Sequence, residues 1–331
     1  MRNLKAADIE RLRSCPGCSA ALFITDRCPV GCAHCSVDSR SDSPTIADYD
    51  LFRGMLEGLC REPALEIVGI TGGEPFVERR GLELATQMLA EAGKKIVLYS
   101  SGVWSKSETP AWVRGVLKRV STIYLSTDLF HLQSISPQTF VAAAHAAAEW
   151  GCWIVVQTLE NGDAPARAIQ YLETAFGPTY SESAEIVLCR PLPYGRAETL
   201  FHPAKPKPGA EYGACGILGS PLLRYDGRVT ACCNEKVIMG GGSGRLATKC
   251  RTTSDFSLAL AKFRNDPLLK TIGTLGFGAL SAHPKFAAVG RSKFGSICEA
   301  CWAANDAAGP MEETSDELLH AISILGERQA S

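Results

Sequence analysis

From about residue 20 to residue 189 the sequence alternates short apolar runs with helix-period segments, and this alternation narrows the fold more than any other feature. The strand-like runs fall at 20–25, 65–71, 96–100, 122–126, 153–158 and 185–189. Between the first two, Phe52, Met55, Leu56 and Leu59 sit at i, i+3, i+4 and i+7, the spacing of one helix face. Residues 81–91, 110–119, 137–150 and 164–175 read the same way, and Ser136-Pro137 looks like an N-cap followed by a first-turn proline. Six strands alternating with five helices imply a parallel sheet joined by right-handed crossovers.

The alternation stops near residue 190, where the sequence turns rich in proline and glycine. Beyond that, residues 222–231 read as a hairpin turning at Asp226-Gly227. Residues 240–244 form a glycine-rich loop, 254–273 read as helical, and the tail after Met311 holds one weak helix. The expected division is an extension over 1–18, a βα unit over 19–196, a linker over 197–214, a second small domain over 215–310 and a tail over 311–331.

Composition excludes several partners. With 46 % apolar and 21 % charged residues and a net charge of −1, nothing suggests a nucleic-acid backbone or a membrane surface. An apolar signal core and a run of 18 apolar residues are both absent from the sequence, so a cytoplasmic location is expected. The 14 cysteines are the unusual count. Ten fall in close sets, Cys15/Cys18, Cys28/Cys32/Cys35, Cys215/Cys232/Cys233 and Cys298/Cys301, which in a reducing compartment points to metal or redox chemistry. Cys60, Cys152, Cys189 and Cys250 are isolated and read as small buried hydrophobes. Cys15-Pro-Gly-Cys18 reads as a structural turn.

The run Cys28-Pro-Val-Gly-Cys32-Ala-His-Cys35 directly follows the first strand, and loops at the carboxyl ends of strands are where α/β sheets build their sites. Three thiolates on a tight loop can hold three corners of an iron–sulfur cube and leave the fourth iron open. Zinc is the alternative, since three cysteines and His34 are also its ligand types. One βα unit later comes Gly72-Gly73-Glu74-Pro75, whose glycines admit a ligand close to the backbone and whose Glu74 offers an acceptor for an ammonium group.

These two motifs in register resemble the radical S-adenosylmethionine (SAM) superfamily over roughly residues 19–196. The resemblance implies an α/β fold, a partial (β/α)6 TIM-like barrel, in which SAM chelates the open iron of a [4Fe–4S] cluster on Cys28, Cys32 and Cys35. Reductive cleavage then gives a 5′-deoxyadenosyl radical. Gly72, Gly73, Glu74 and Pro75 match the motif that contacts the methionyl amino group. Less specifically, Ser100, Ser126, Asp128 and Gln157 end strands where the family places SAM contacts, and His34 takes a position near the adenine.

Cys215, Cys232, Cys298 and Cys301 could saturate a second [4Fe–4S] cluster or a zinc ion. Their spacing, and the run Pro-Leu-Pro-Tyr-Gly-Arg-Ala at 191–197, resemble radical SAM enzymes with the shortened auxiliary-cluster domain called twitch, a relative of SPASM. That implies a small C-terminal α+β domain with one auxiliary cluster. Such a cluster, fully ligated, would serve electron transfer.

The resemblance implies an oxidoreductase of natural-product or peptide maturation, whose substrate is a small-molecule natural product or a precursor peptide and whose reductant is of flavodoxin or ferredoxin type. Only 18 residues precede the first strand, too few for a peptide-recognition domain. Net oxidation or cross-linking, with the auxiliary cluster taking an electron, is the leading outcome. Epimerisation is the alternative, with Cys189 or Cys233 returning hydrogen. A redox-neutral rearrangement with His131 as base is a third. From another class altogether, a zinc-binding scaffold would give a colourless protein without SAM affinity.

Overall fold

The computed structural model describes residues 3–105, 108–160, 162–310 and 316–330. Helix α1 (Ala6–Ser14) precedes strand β1 (Ser19–Phe23). Five βα units follow: α2 (Tyr49–Arg61), β2 (Ile67–Thr71), α3 (Arg79–Glu91), β3 (Lys95–Ser100), α4 (Ala111–Leu117), β4 (Thr122–Ser126), α5 (Pro137–Glu149), β5 (Trp153–Leu159), α6 (Ala164–Phe176) and β6 (Ala184–Cys189). All six strands pair in parallel, in sequence order from β1 to β6. This is the expected α/β partial barrel.

Helix α2 illustrates how the pattern becomes packing. Asp48 caps it by accepting from the N–H groups of Asp50 and Leu51, and Phe52, Met55, Leu56 and Leu59 are fully buried. Each such side chain stabilises the fold by roughly 1.5–3 kcal/mol. Ser136 caps α5 as read, with Pro137 in its first turn.

The second half of the chain joins the barrel more closely than its composition suggests. After the short strand β7 (Lys207–Pro208), strand β8 (Leu222–Arg224) pairs in parallel with β1, and β9 (Arg228–Thr230) and β10 (Ala247–Lys249) extend the same sheet antiparallel. The sheet therefore runs β10-β9-β8-β1-β2-β3-β4-β5-β6. The β8–β9 hairpin turns at Gly227, whose φ of 88° a side chain would strain. The region expected to be helical over 254–273 is two helices, α8 (Thr253–Asn265) and α9 (Pro267–Thr274), broken where Asp266 caps the second.

The remaining elements are α7 (Glu235–Ile238), α10 (Gly276–Leu280), α11 (Ala287–Arg291), β11 (Lys293–Phe294), α12 (Ile297–Ala308) and α13 (Glu317–Ala330). The start of the expected tail, 311–315, lies outside the described residues. Among the described residues no helix is long and apolar enough to cross a membrane.

Residues 1–18, expected as an extension, include a helix that closes the barrel. Leu4, Ile9 and Leu12 are buried in one cluster with Ile67, Val97, Tyr124, Trp153 and Val155 from the strands. The Ala6 N–H donates to Glu185 on β6 (2.8 Å), as does the Trp153 indole (2.6 Å). An amphipathic helix beside an unfilled barrel end buries its apolar face there because nothing else can cover both.

Candidate active site

The parallel register sets the ends of β1 and β2 side by side, Phe23 opposite Thr71, so the loops that follow them meet. The Gly73 N–H donates to the Thr25 carbonyl (2.6 Å) and the Glu74 N–H to the Arg27 carbonyl (2.9 Å). A Cβ on Gly72 would stand 2.6 Å from the Thr25 oxygen, and one on Gly73 would collide with Arg27. The glycines are thus required first by this loop-to-loop contact.

A cavity of about 470 Å³ opens at this end of the barrel. Cys28, Cys32 and Cys35 line it, together with Gly72, Gly73, Ser100, Ser126, Asp128 and Gln157. His34, His131, Cys189 and Cys233 also reach it. A broader groove of about 740 Å³ lies on the outer face between α5 and α6, but it holds neither motif.

Glu74 is set back from the cavity. It is fully buried and does not line the cavity. Its carboxylate accepts from the hydroxyl and N–H of Ser101, the hydroxyl of Ser100 (2.9 Å) and the N–H of Phe76 (3.2 Å). Burial pushes its carboxyl up, and these bonds oppose the shift. A carboxylate so committed ties β2 to β3. Pro75 is also buried and starts a single turn that brings Phe76 against Trp104, ring centroids 4.7 Å apart.

Asp128 gathers two histidines. His34 Nε2 lies 3.1 Å from one carboxylate oxygen, and His131 Nδ1 lies 2.9 Å from the other, off the line of an ideal hydrogen bond. Burial alone would raise the Asp128 carboxyl, but His131 and His34 hold it well below the usual carboxylate range. For His131, burial disfavours the charged ring, yet Asp128 and the Cys32 thiol outweigh it and push it up to about 10. Both neighbours favour the charged form of the ring. His34 stacks on Phe130 at 4.5 Å.

The loop thiols have donors beside them. Burial pushes Cys28 up to about 12 against the N–H groups of Val30 and Gly31, and the Ser39 N–H donates to Cys35 Sγ (3.3 Å). Cys215, Cys232, Cys298 and Cys301 come together behind the cavity, within electrostatic reach of one another. Burial raises all four, Cys298 to about 12. Buried thiols that resist ionising alone ionise beside a metal, whose charge inverts the local balance. Cys298 and Cys301 share a face in the first turns of α12, capped by Ser296.

A single zinc ion holds thiolates at about 2.3 Å and so draws them to under roughly 4 Å from one another. Among the described residues, three ligand atoms lie within 4.8 Å of one another at His34, Asp128 and His131, and neither thiol set packs that tightly. Cys15 and Cys18 are joined as a disulfide between α1 and β1.

Some site residues escape the sequence motifs. Arg13 of α1 reaches the cavity, donating to Cys233 Sγ (3.5 Å) and Glu10 (2.7 Å), and Glu235 lines the same wall. Gln157 donates to Cys189 Sγ (3.0 Å). The one available signal for Arg13 was its place beside the apolar positions Ile9 and Leu12.

Residues 22–131 match the model of the Radical SAM superfamily. Over 90 residues, 27 % of this chain, the sequence is 24 % identical to YydG of Bacillus subtilis (strain 168), named for peptide biosynthesis; the match spans 28 % of YydG. The fold is similar to that of anSMEcpe with bound AdoMet (TM-score 0.53, 13 % identity, 92 % of this chain and 99 % of that one). It is also similar to Streptococcus suis SuiB bound to SAM (TM-score 0.50, 12 % identity, 80 % and 70 %), a protein also solved with its precursor peptide SuiA. The three-cysteine loop and the glycine turn that meet at the barrel's end both fall inside the matched residues.

Proposed function

We propose that this chain is a radical SAM enzyme that inverts a carbon centre of a peptide substrate, with Cys233 returning the hydrogen. The observation that carries this reading is that Cys233, a thiol outside the two expected ligand sets, opens on the same cavity as Cys28, Cys32, Cys35 and the Gly72–Gly73 turn. A peptide substrate is suggested by the names of YydG and of the SuiB complex.

Cys28, Cys32 and Cys35 would hold a [4Fe–4S] cluster and, with SAM, supply a 5′-deoxyadenosyl radical that abstracts hydrogen from an unactivated C–H bond. The backbone at Gly72 and Gly73, with Ser126, Asp128 and Gln157, lines the space for SAM. Arg13 donates an N–H to the Cys233 sulfur, which leaves the S–H hydrogen free to face the substrate. Transfer of that hydrogen to the opposite face of a carbon radical leaves a thiyl radical, restored by one electron and one proton. Cys215, Cys232, Cys298 and Cys301 would hold a second cluster, whose contribution next to Cys233 is one-electron exchange. The electrons would enter from a flavodoxin- or ferredoxin-type reductant. The burial of this four-thiol set beside the cavity favours a second reading, net oxidation or cross-linking with the electron leaving through it.

Iron content and SAM cleavage after anaerobic reconstitution test the core of this reading. Wild type should bind about eight irons and form 5′-deoxyadenosine, and a Cys28/Cys32/Cys35→Ala triple variant should bind about four and form none. Zinc in place of iron, or cleavage that survives the triple change, refutes it. With precursor peptide in D2O, inversion places one solvent deuterium in the product and Cys233→Ala abolishes it, whereas a product two mass units lighter establishes oxidation.

A further inference from the structure

Strand β6 is the last strand of its sheet, and among the described residues no strand pairs with its outer side. The ladder to β5 fixes which of its backbone groups are left over. The Ile154 N–H donates to the Ser183 carbonyl (3.2 Å) and the Glu160 N–H to the Cys189 carbonyl (3.0 Å), one at each end of the parallel register. In a parallel pair the residues that bond to one neighbour recur at every second position. Glu185, Val187 and Cys189 therefore bond to β5, and the N–H and C=O groups of Ile186 and Leu188 point away from it. Leu188 is 52 % exposed, so this side of the strand is open. Side chains alternate as well: Val187 packs with the cluster that α1 forms inside the barrel, and Cys189 lines the cavity. Arg190, Pro191 and Leu192 continue from β6 along the same cavity. The open edge thus leads into the space lined by Cys28, Cys32 and Cys35.

We infer that the outer edge of β6 takes the substrate peptide as an added strand, through the main-chain groups of Ile186 and Leu188. The inference rests on the reading that the substrate is a peptide. The chemistry of the edge selects the occupant: donors and acceptors repeating along an extended backbone match the main chain of another extended peptide, whatever its side chains. A small molecule has no such repeat. Unpaired edges invite pairing with other chains unless proline, charge or a covering element blunts them. Neither proline nor lysine stands between Ala184 and Cys189, and the one charged residue, Glu185, is engaged by the Ala6 N–H and the Trp153 indole. A strand laid beside β6 presents alternate side chains to its two faces. A residue of the peptide that faces the cavity beside Cys189 is then flanked by neighbours that face away from it, and the pairing itself selects which residue is presented.

The test uses the anaerobically reconstituted full chain with SAM. Short peptides are selected on it from a displayed random-sequence library, and those that raise 5′-deoxyadenosine formation above the peptide-free rate serve as probes. With a probe bound, amide hydrogen exchange should slow at Ile186 and Leu188 and stay as it was at Glu185 and Val187, whose N–H groups already serve β5. Scanning the probe with N-methyl residues should weaken binding about fivefold at every second position and leave the positions between them unchanged. This scan alters only the peptide, so it reports whatever an enzyme variant does to folding. Leu188→Pro removes an outward N–H at a place where an edge strand accepts proline, and should weaken the same probe about fivefold. Leu188→Ala keeps that N–H and should weaken it less. Unchanged exchange at Ile186 and Leu188, an N-methyl scan without a period of two, or equal weakening by the two Leu188 variants overturns the inference. Slowed exchange that needs no peptide and grows with protein concentration also overturns it, and gives the edge to a second copy of the chain. Failure of the underlying reading looks different: a library in which no peptide raises 5′-deoxyadenosine formation removes the peptide substrate and the edge site with it, whereas a peptide that raises it without slowing Ile186 and Leu188 refutes the edge alone.

Discussion

The two cysteine sets are built in opposite ways. Cys28, Cys32 and Cys35 sit on one loop, partly open to a cavity, and are set in place by backbone contacts from elsewhere: Gly73 and Glu74 on one side, Gly195 and Arg196 on the other. Cys215, Cys232, Cys298 and Cys301 come from three separate segments, and Cys232 and Cys301 are buried in the main core. A loop site can change without disturbing the fold that carries it. A site assembled from the core is part of what the fold is made of.

The two regions are joined by a buried ion pair, and severing it is the strongest way to test how far they are independent. Arg224 at the end of β8 donates to both oxygens of Asp26, which lies two residues before Cys28. Tyr225 donates its hydroxyl to the same carboxylate (2.8 Å). Arg224→Met would leave Asp26 charged, buried and without its cation, at a cost of about 3–5 kcal/mol. Urea unfolding of the apoprotein should show that loss as a lower midpoint, and Asp26→Asn/Arg224→Met should recover part of it. A midpoint within the scatter of wild type for the single variant would mean that the cysteine loop and the β8–β9 hairpin stand independently.

A smaller effect separates the two sets directly. Cys301→Ala empties space in the core beside α12 and should destabilise the apoprotein by about 1–2 kcal/mol. Cys32→Ala, on the partly open loop, should change apoprotein stability by about 0.5 kcal/mol or less and still abolish 5′-deoxyadenosine formation. Equal destabilisation by the two would erase the contrast between a loop site and a core site.

The same contrast explains what was legible. The six parallel strands fall within two residues of the apolar runs, since period and turn chemistry are local. The three-cysteine loop and the glycine turn were legible because each is a short run tied to a strand end. For the second set the ligand types could be read, but the attachment of its hairpin could not. Strand β8 is Leu222–Arg224 alone, and its choice of β1 as partner depends on a pairing across some two hundred residues. The partners of Glu74 were illegible for a related reason: its carboxylate is held by Ser100 and Ser101 at the end of the next strand. Arg13 shows locally only its place beside the apolar positions of α1; the packing of α1 against the barrel brings it to the cavity.

A smaller effect than the loss at Cys301 is electrostatic and lies at the hairpin turn. Asp226 accepts from the Arg228 N–H (3.1 Å), with Arg224 Nε at 3.4 Å and Lys249 Nζ at 3.5 Å. Burial would raise its carboxyl, but the Arg228 N–H and the Arg224 and Lys249 cations lower it below the usual range. A carboxyl lowered on folding contributes stability that is present above its unfolded pKa of about 3.9 and is lost as pH falls through the folded value. Asp226→Asn keeps an oxygen for the Arg228 N–H and removes only the charge. At pH 7 the variant should be less stable than wild type by about 0.5–1 kcal/mol, a range set by the partial exposure of the group. The gap should narrow as pH falls below about 4, because wild type then loses the charge as well. A gap that stays constant from pH 7 to pH 3.5 would show that the turn is held by its hydrogen bond and backbone geometry, and that the cations around Asp226 contribute nothing to joining the hairpin to the barrel.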